Sequence, residues 1–113
     1  MKPYNSEFAN NKPDFIINGL KFIGTCGACP EQYDVVYDGL DGVTYIVGYV
    51  RLRYGNLYCA FPDVGGKKIY EHTFLNHSGW LGVFPTQESR IEHLTKIADA
   101  IIKALEDLSH GYS

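Results

Sequence analysis

The stretch VGYVRLRYGNLYCAF, from Val47 to Phe61, constrains the fold more than any other part of the chain. Apolar and polar residues alternate on both sides of Gly55-Asn56, a pair suited to the two-residue loop of a β-hairpin. Centred there, the hairpin sets Tyr54 opposite Leu57, Arg53 opposite Tyr58, Leu52 opposite Cys59, Arg51 opposite Ala60 and Val50 opposite Phe61. One face of the ribbon is then apolar (Val50, Leu52, Tyr54, Leu57, Cys59, Phe61), and the other carries Tyr49, Arg51, Arg53 and Tyr58.

The rest of the chain extends this ribbon into a sheet. Phe15-Ile16-Ile17 and Leu20-Lys21-Phe22-Ile23 flank Asn18-Gly19, which tolerates the positive φ of a type I′ turn, so a first hairpin is predicted there. Glycines and Pro30 interrupt the chain after Gly24, and Gln32 to Tyr37 resumes a strand. Asp38 to Gly42 reads as a turn, and Val43 to Arg53 as the long strand entering the central hairpin. Pro62 ends the return strand, and Lys68 to Phe74 follows with Tyr70, His72 and Phe74 on one face.

Leu75 to Pro85 reads as a glycine-rich loop holding Asn76, His77 and Trp80, either a lid over a ligand or a connection whose Trp80 and Phe84 plug the core. Beyond it, Ile91, Leu94, Ile97, Ala98, Ile101, Ile102, Leu105 and Leu108 recur at steps of three and four, one apolar stripe on a helix of roughly five turns. Ser89 and Glu92 form a capping-box pattern, with Thr86 as the other possible cap. The fold class is therefore α+β: an antiparallel β-meander of about five or six strands packed against one long C-terminal α-helix. Such a helix covers one sheet face and leaves the other to water or a second subunit, so a homo-oligomer is expected.

At 113 residues the chain suits one domain, residues 14–113, preceded by a polar arm, 1–13, with two prolines and no periodicity. A net charge of −3 argues against binding long nucleic acid, which needs a broad excess of Lys and Arg, but leaves room for a local basic patch. No apolar run approaches a membrane span and no leader pattern opens the chain, so a cytoplasmic, membrane-free protein is expected.

Arg51 and Arg53, two apart on a strand, project on one side about 7 Å apart and can share one phosphate or two linked phosphates. Tyr49 and Tyr58 beside them can stack on a base. Asn76, His77, Trp80 and, at the helix start, Arg90 complete the ligand-binding candidates. The plain alternative is a solvated face whose arginines touch Glu31, Asp34 or Asp38. Cys26-x-x-Cys29 has zinc-like spacing, and Cys59 with His72, His77, His93 or His110 could complete a tetrahedral set. The hairpin points Cys59 at the core, however, so neither metal nor cofactor is assigned. No catalytic residue is assigned either, because no carboxylate or serine is fixed beside His77.

Cys29-Pro30-Glu31-Gln32-Tyr33-Asp34-Val35, Gly48 to Gly55 and Pro62 to Gly66 together resemble the CPEQYDV and GYxRLRxG motifs of a widespread group of small bacterial and phage proteins. That group brings no established activity. More loosely, the build resembles phage anti-defence sponge proteins of the anti-Thoeris class, which sequester cyclic nucleotide or ADP-ribose-type immune signals between subunits. This likeness implies non-enzymatic binding of a small anionic nucleotide-like ligand in the host cytoplasm, as a means of immune evasion. The alternatives are an interaction module docking on a host protein through its Arg and Tyr face, and a small nucleotide hydrolase using His77 or His72.

Overall fold

The computed structural model describes residues 2–4, 13–25, 31–75 and 77–110, those at 78, 79 and 110 by backbone alone. It is a six-stranded antiparallel meander with one long helix packed across it. The strands are β1 (Phe15–Ile17), β2 (Leu20–Gly24), β3 (Gln32–Asp38), β4 (Thr44–Arg53), β5 (Asn56–Phe61) and β6 (Lys67–Thr73), hydrogen bonded in chain order. A single helical turn, α1 (His77–Trp80), and the helix α2 (Gln87–His110) follow.

Turn chemistry fixes the hairpins. Asn18 and Gly19 take φ of 52° and 82°, and Ile17 pairs with Leu20, as an Asn-Gly type I′ turn requires. The central hairpin turns one residue earlier than expected. Its loop is Tyr54-Gly55, with φ of 52° and 79°, so Arg53 pairs with Asn56, Leu52 with Leu57, Arg51 with Tyr58 and Val50 with Cys59. The expected pairings, with Tyr54 opposite Leu57 at one end and Val50 opposite Phe61 at the other, are therefore corrected. In the observed turn glycine occupies the second loop position, where type I′ turns favour it. The difference is two residues in partner, so every strand side chain keeps its face and the alternation alone could not distinguish the two registers.

Buried side chains fall on two faces. Against α2 lie Leu20, Phe22, Tyr33, Val35, Val47, Val50, Leu52, Leu57 and Cys59, meeting Leu94, Ile97, Ala98 and Ile101. Gly48 lets the helix approach closely, since a Cβ there would sit 2.8 Å from Ile101 Cδ1. Ile23, Val36 and Ile46 are buried too but belong to the opposite face. Nearby, residues 2–4 extend the sheet along β4: Ile46 N–H donates to Lys2 O, Tyr4 N–H to Thr44 O, and Tyr4 Oη to Asp34. The start of the expected arm is thus a bridged segment, while residues 5–12 lie outside the described residues.

The helix is capped by Thr86, whose Oγ1 accepts from Ser89 N–H at 2.9 Å, and not by Ser89. It runs longer than five turns, and the ends of its stripe, Ile91 and Leu108, are exposed. The loop before it is not wholly irregular, since α1 forms within it. No helix among the described residues is long and apolar enough to cross a membrane.

Candidate functional site

β3 and β4 run side by side with Gln32 directly opposite Arg51, so both project from the face away from α2, with Arg53 two residues along. A Cα at 55 without a side chain then allows the chain after β6 to fold back over the turn. A Cβ on Gly55 would lie 3.0 Å from Phe74 O and 3.2 Å from Trp80 Nε1. The outcome is a cleft of about 310 Å³ between Gln32, Arg51 and Arg53 on one side and Trp80 and Leu81 on the other, with Tyr54 and Gly82 at its ends.

Among the described residues neither Arg51 nor Arg53 has an acidic partner within ion-pair distance. The carboxylates that could have neutralised them are engaged elsewhere: Glu31 by Arg90, Asp34 by Tyr4 and Asp38 by Lys21. Arg53 lies over the Tyr54 ring at 4.9 Å, and this cation pulls the Tyr54 hydroxyl below the usual phenol range. Arg51 Nε is shielded from solvent with no hydrogen-bond partner among the described residues. A buried donor left unpaired costs on the order of 1–3 kcal/mol, a cost that ordinary surface arginines do not carry.

The other candidates are placed as follows. Tyr49 and Tyr58 share the arginine face and meet edge to face at 6.3 Å, flanking the cleft without lining it. Tyr58 also lies beneath Lys68 Nζ at 5.4 Å. Trp80 does line it and is 57% exposed, so it walls the cleft and leaves the core to Phe84, which is buried. His77 begins α1, exposed and off the lining. Asn76 lies outside the described residues, as do Cys26 and Cys29.

Arg90 is structural in its contacts. Its Nε donates to Glu31 Oε2 at 3.1 Å, its Nη2 reaches Glu31 Oε1, its Nη1 reaches Gln87, and its guanidinium stacks over Phe84 at 5.5 Å. Glu31 also accepts from Tyr33 Oη at 2.8 Å and ties its own backbone to Leu52 and Gly82. This hub, spanning 59 residues of sequence, gave no local signal.

Sequence reasoning also missed Gln32. Its Oε1 accepts from Tyr49 Oη at 3.0 Å, which fixes the amide beside Arg51. Only the pairing of β3 with β4 could have suggested it.

Two further clusters compete for attention. A larger groove of about 580 Å³ runs between β6 and the second half of α2, floored by Phe61, Ile69, Ala100 and Ala104 and edged by Lys67, Lys68 and Lys103. Lys68 is bound to Glu71, and Asp107 stands on the rim, so its charge is partly spent and its lysines are flexible. On the core side, His93 is 7% exposed, accepts or donates at Nδ1 with Tyr70 Oη at 2.7 Å, and packs on His72, Phe74 and Phe84. Desolvation holds its pKa below the usual histidine value. Among the described residues no three His, Cys, Asp or Glu side chains are grouped to hold a metal ion. Cys59 is fully buried, and burial pushes its thiol up to about 12.

Comparison of the chain with family models, with curated proteins and with solved structures finds no match in any of the three.

Proposed function

We propose that the cleft over the β4–β5 turn binds a small phosphorylated, nucleotide-like ligand and holds it without turnover. One observation carries this reading: two arginines with no acidic partner among the described residues converge with an exposed tryptophan in one cleft. Guanidinium groups make short, charge-assisted hydrogen bonds to phosphate oxygens, and an indole face stacks on any base. A volume of about 310 Å³ is at the small end of ligand sites, which run from about 300 to 1,000 Å³, so the cleft suits a mononucleotide unless a second subunit enlarges it. Its polar side chains are arginine, glutamine and tyrosine, groups suited to holding a ligand more than to attacking one. Sequestration of a nucleotide signal by an oligomer is the biological form that the sponge resemblance implies.

Calorimetry with a nucleotide panel tests the site. Arg51→Ala or Arg53→Ala should each weaken binding by about 1.5–3 kcal/mol, the worth of a hydrogen bond to a charged group. Affinity unchanged in both variants would remove the cleft as the binding site.

A second reading has its own support. Tyr54, Trp80 and Leu81 are all more than half exposed beside the two arginines, and Tyr, Trp and Arg dominate protein-interface hot spots. It requires a stable protein complex in a pull-down, lost on Trp80→Ala, with no thermal shift from any nucleotide.

A further inference from the structure

We infer that this cleft selects the dianionic phosphate of a monoester, such as the terminal phosphate of a mononucleotide, over phosphodiesters and uncharged nucleosides. The inference rests on the cleft reading above and narrows its ligand class, setting the ligand apart from the cyclic and ADP-ribose-type signals of the sponge resemblance.

Charge gives the first argument. Arg51 and Arg53 place two permanent cations side by side, without an acidic partner among the described residues. A phosphate monoester carries about −1.5 to −2 at pH 7, whereas a diester, with one ionisable oxygen fewer, carries about −1. Only the monoester neutralises the pair.

Hydrogen-bond sense gives the second. Tyr49 Oη donates to Gln32 Oε1 at 3.0 Å, which turns the amide's oxygen toward Tyr49, and its N–H groups have no acceptor among the described residues. Gln32 is directly opposite Arg51, with Cβ atoms about 4.5–5.5 Å apart by strand geometry, so both can reach one anion. Arg53 Nη2 donates to Tyr54 Oη at 3.5 Å, so that hydroxyl keeps its own hydrogen for a further acceptor. One backbone acceptor on the lining, Gly82 O, already takes the Glu31 N–H at 2.8 Å. The charged and amide side chains of the cleft therefore offer mainly donors to its ligand. Exocyclic amines would need acceptors and a sugar hydroxyl uses both senses, while the three unesterified oxygens of a monoester need only donors. Arg51, Arg53 and Gln32 can meet those three oxygens. A diester has two free oxygens and leaves one donor unmatched, which is costly beside Arg51, whose Nε is shielded from solvent. Gln32 is in this scheme a specificity-determining residue, and Tyr49 positions it.

The test is calorimetric titration of the intact protein with the four common 5′-mononucleotides and their 3′,5′-cyclic forms. The 5′-monoester of the preferred base should bind at least about tenfold more tightly than its cyclic form, the worth of one charge-assisted hydrogen bond. Gln32→Leu and, as a milder variant that keeps the ring, Tyr49→Phe should each shrink that ratio while leaving the melting temperature near that of the parent. Cyclic forms that bind as tightly as the monoesters would overturn the monoester inference and leave the cleft reading in place. A ratio unchanged in both variants would overturn the role of Gln32. Failure of every nucleotide, cyclic or not, to bind would overturn the inference together with the reading it rests on.

Discussion

Cys59 shows how placement decides the chemistry of a single residue. On β5 it faces α2, makes contact with the core and has its thiol raised to about 12 by desolvation. The thiolate is the reactive form, so Cys59 should be inert in the folded protein. Peptide mapping after iodoacetamide treatment at pH 8 should find Cys59 unmodified before denaturation and modified after it; labelling in the native state would contradict its burial. The alternation of the hairpin was enough to foresee this, because period two assigns a face whichever register is adopted. Arginine was harder to read. Arg51, Arg53 and Arg90 look alike in sequence, yet Glu31 pairs with Arg90 and leaves the other two without an acid among the described residues. Which cation a carboxylate meets depends on contacts across 59 residues, and no local pattern records them.

Elements are held by a few specific contacts between them. Thr86 caps α2, and Thr86→Ala should cost about 1 kcal/mol of stability in urea titration, the usual worth of an N-cap, while Ser89→Ala should cost clearly less. The Glu31–Arg90 pair joins the start of β3 to the first turn of α2 and is largely buried. In a double-mutant cycle of Glu31→Gln and Arg90→Gln the two changes should couple by about 1 kcal/mol or more; additivity to within about 0.3 kcal/mol would show that the pair contributes nothing specific. Strands and the long helix were legible because their periodicity is the direct imprint of a one-sided burial. The helical turn α1 was not, since four residues carry no period, and it is α1 that brings Trp80 over Gly55 and so shapes the cleft. The meander was legible as a class, but the direct pairing of Gln32 with Arg51 depends on a bulge at Val35/Val36, which strand propensity does not specify.

At the scale of the whole molecule, the sheet divides its two tasks between its faces. One face packs on α2, whose His93 is held against Tyr70 and His72 of β6 and is charged only at the cost of desolvation. Its folded-state pKa is lowered from 6.5, so the unfolded chain binds the proton first as pH falls. The stability this group contributes is full above about pH 6.5 and is lost as pH falls from there through the folded-state value. Melting temperature should therefore drop between pH 7 and pH 5, and His93→Gln, which keeps a partner for Tyr70, should flatten that drop; an equal drop in the variant would assign it to another group. The other face carries Arg51, Arg53 and Gln32 toward the cleft. Trp80 is the sole tryptophan of the chain and walls that cleft, so its emission reports on the proposed site alone. The most direct measurement is tryptophan fluorescence during titration with 5′-mononucleotides. A saturable change is expected in the parent protein, and Arg51→Ala and Arg53→Ala should each shift it to much higher ligand concentration; emission that does not change in the parent, or that titrates in both variants as it does in the parent, would contradict binding at the cleft.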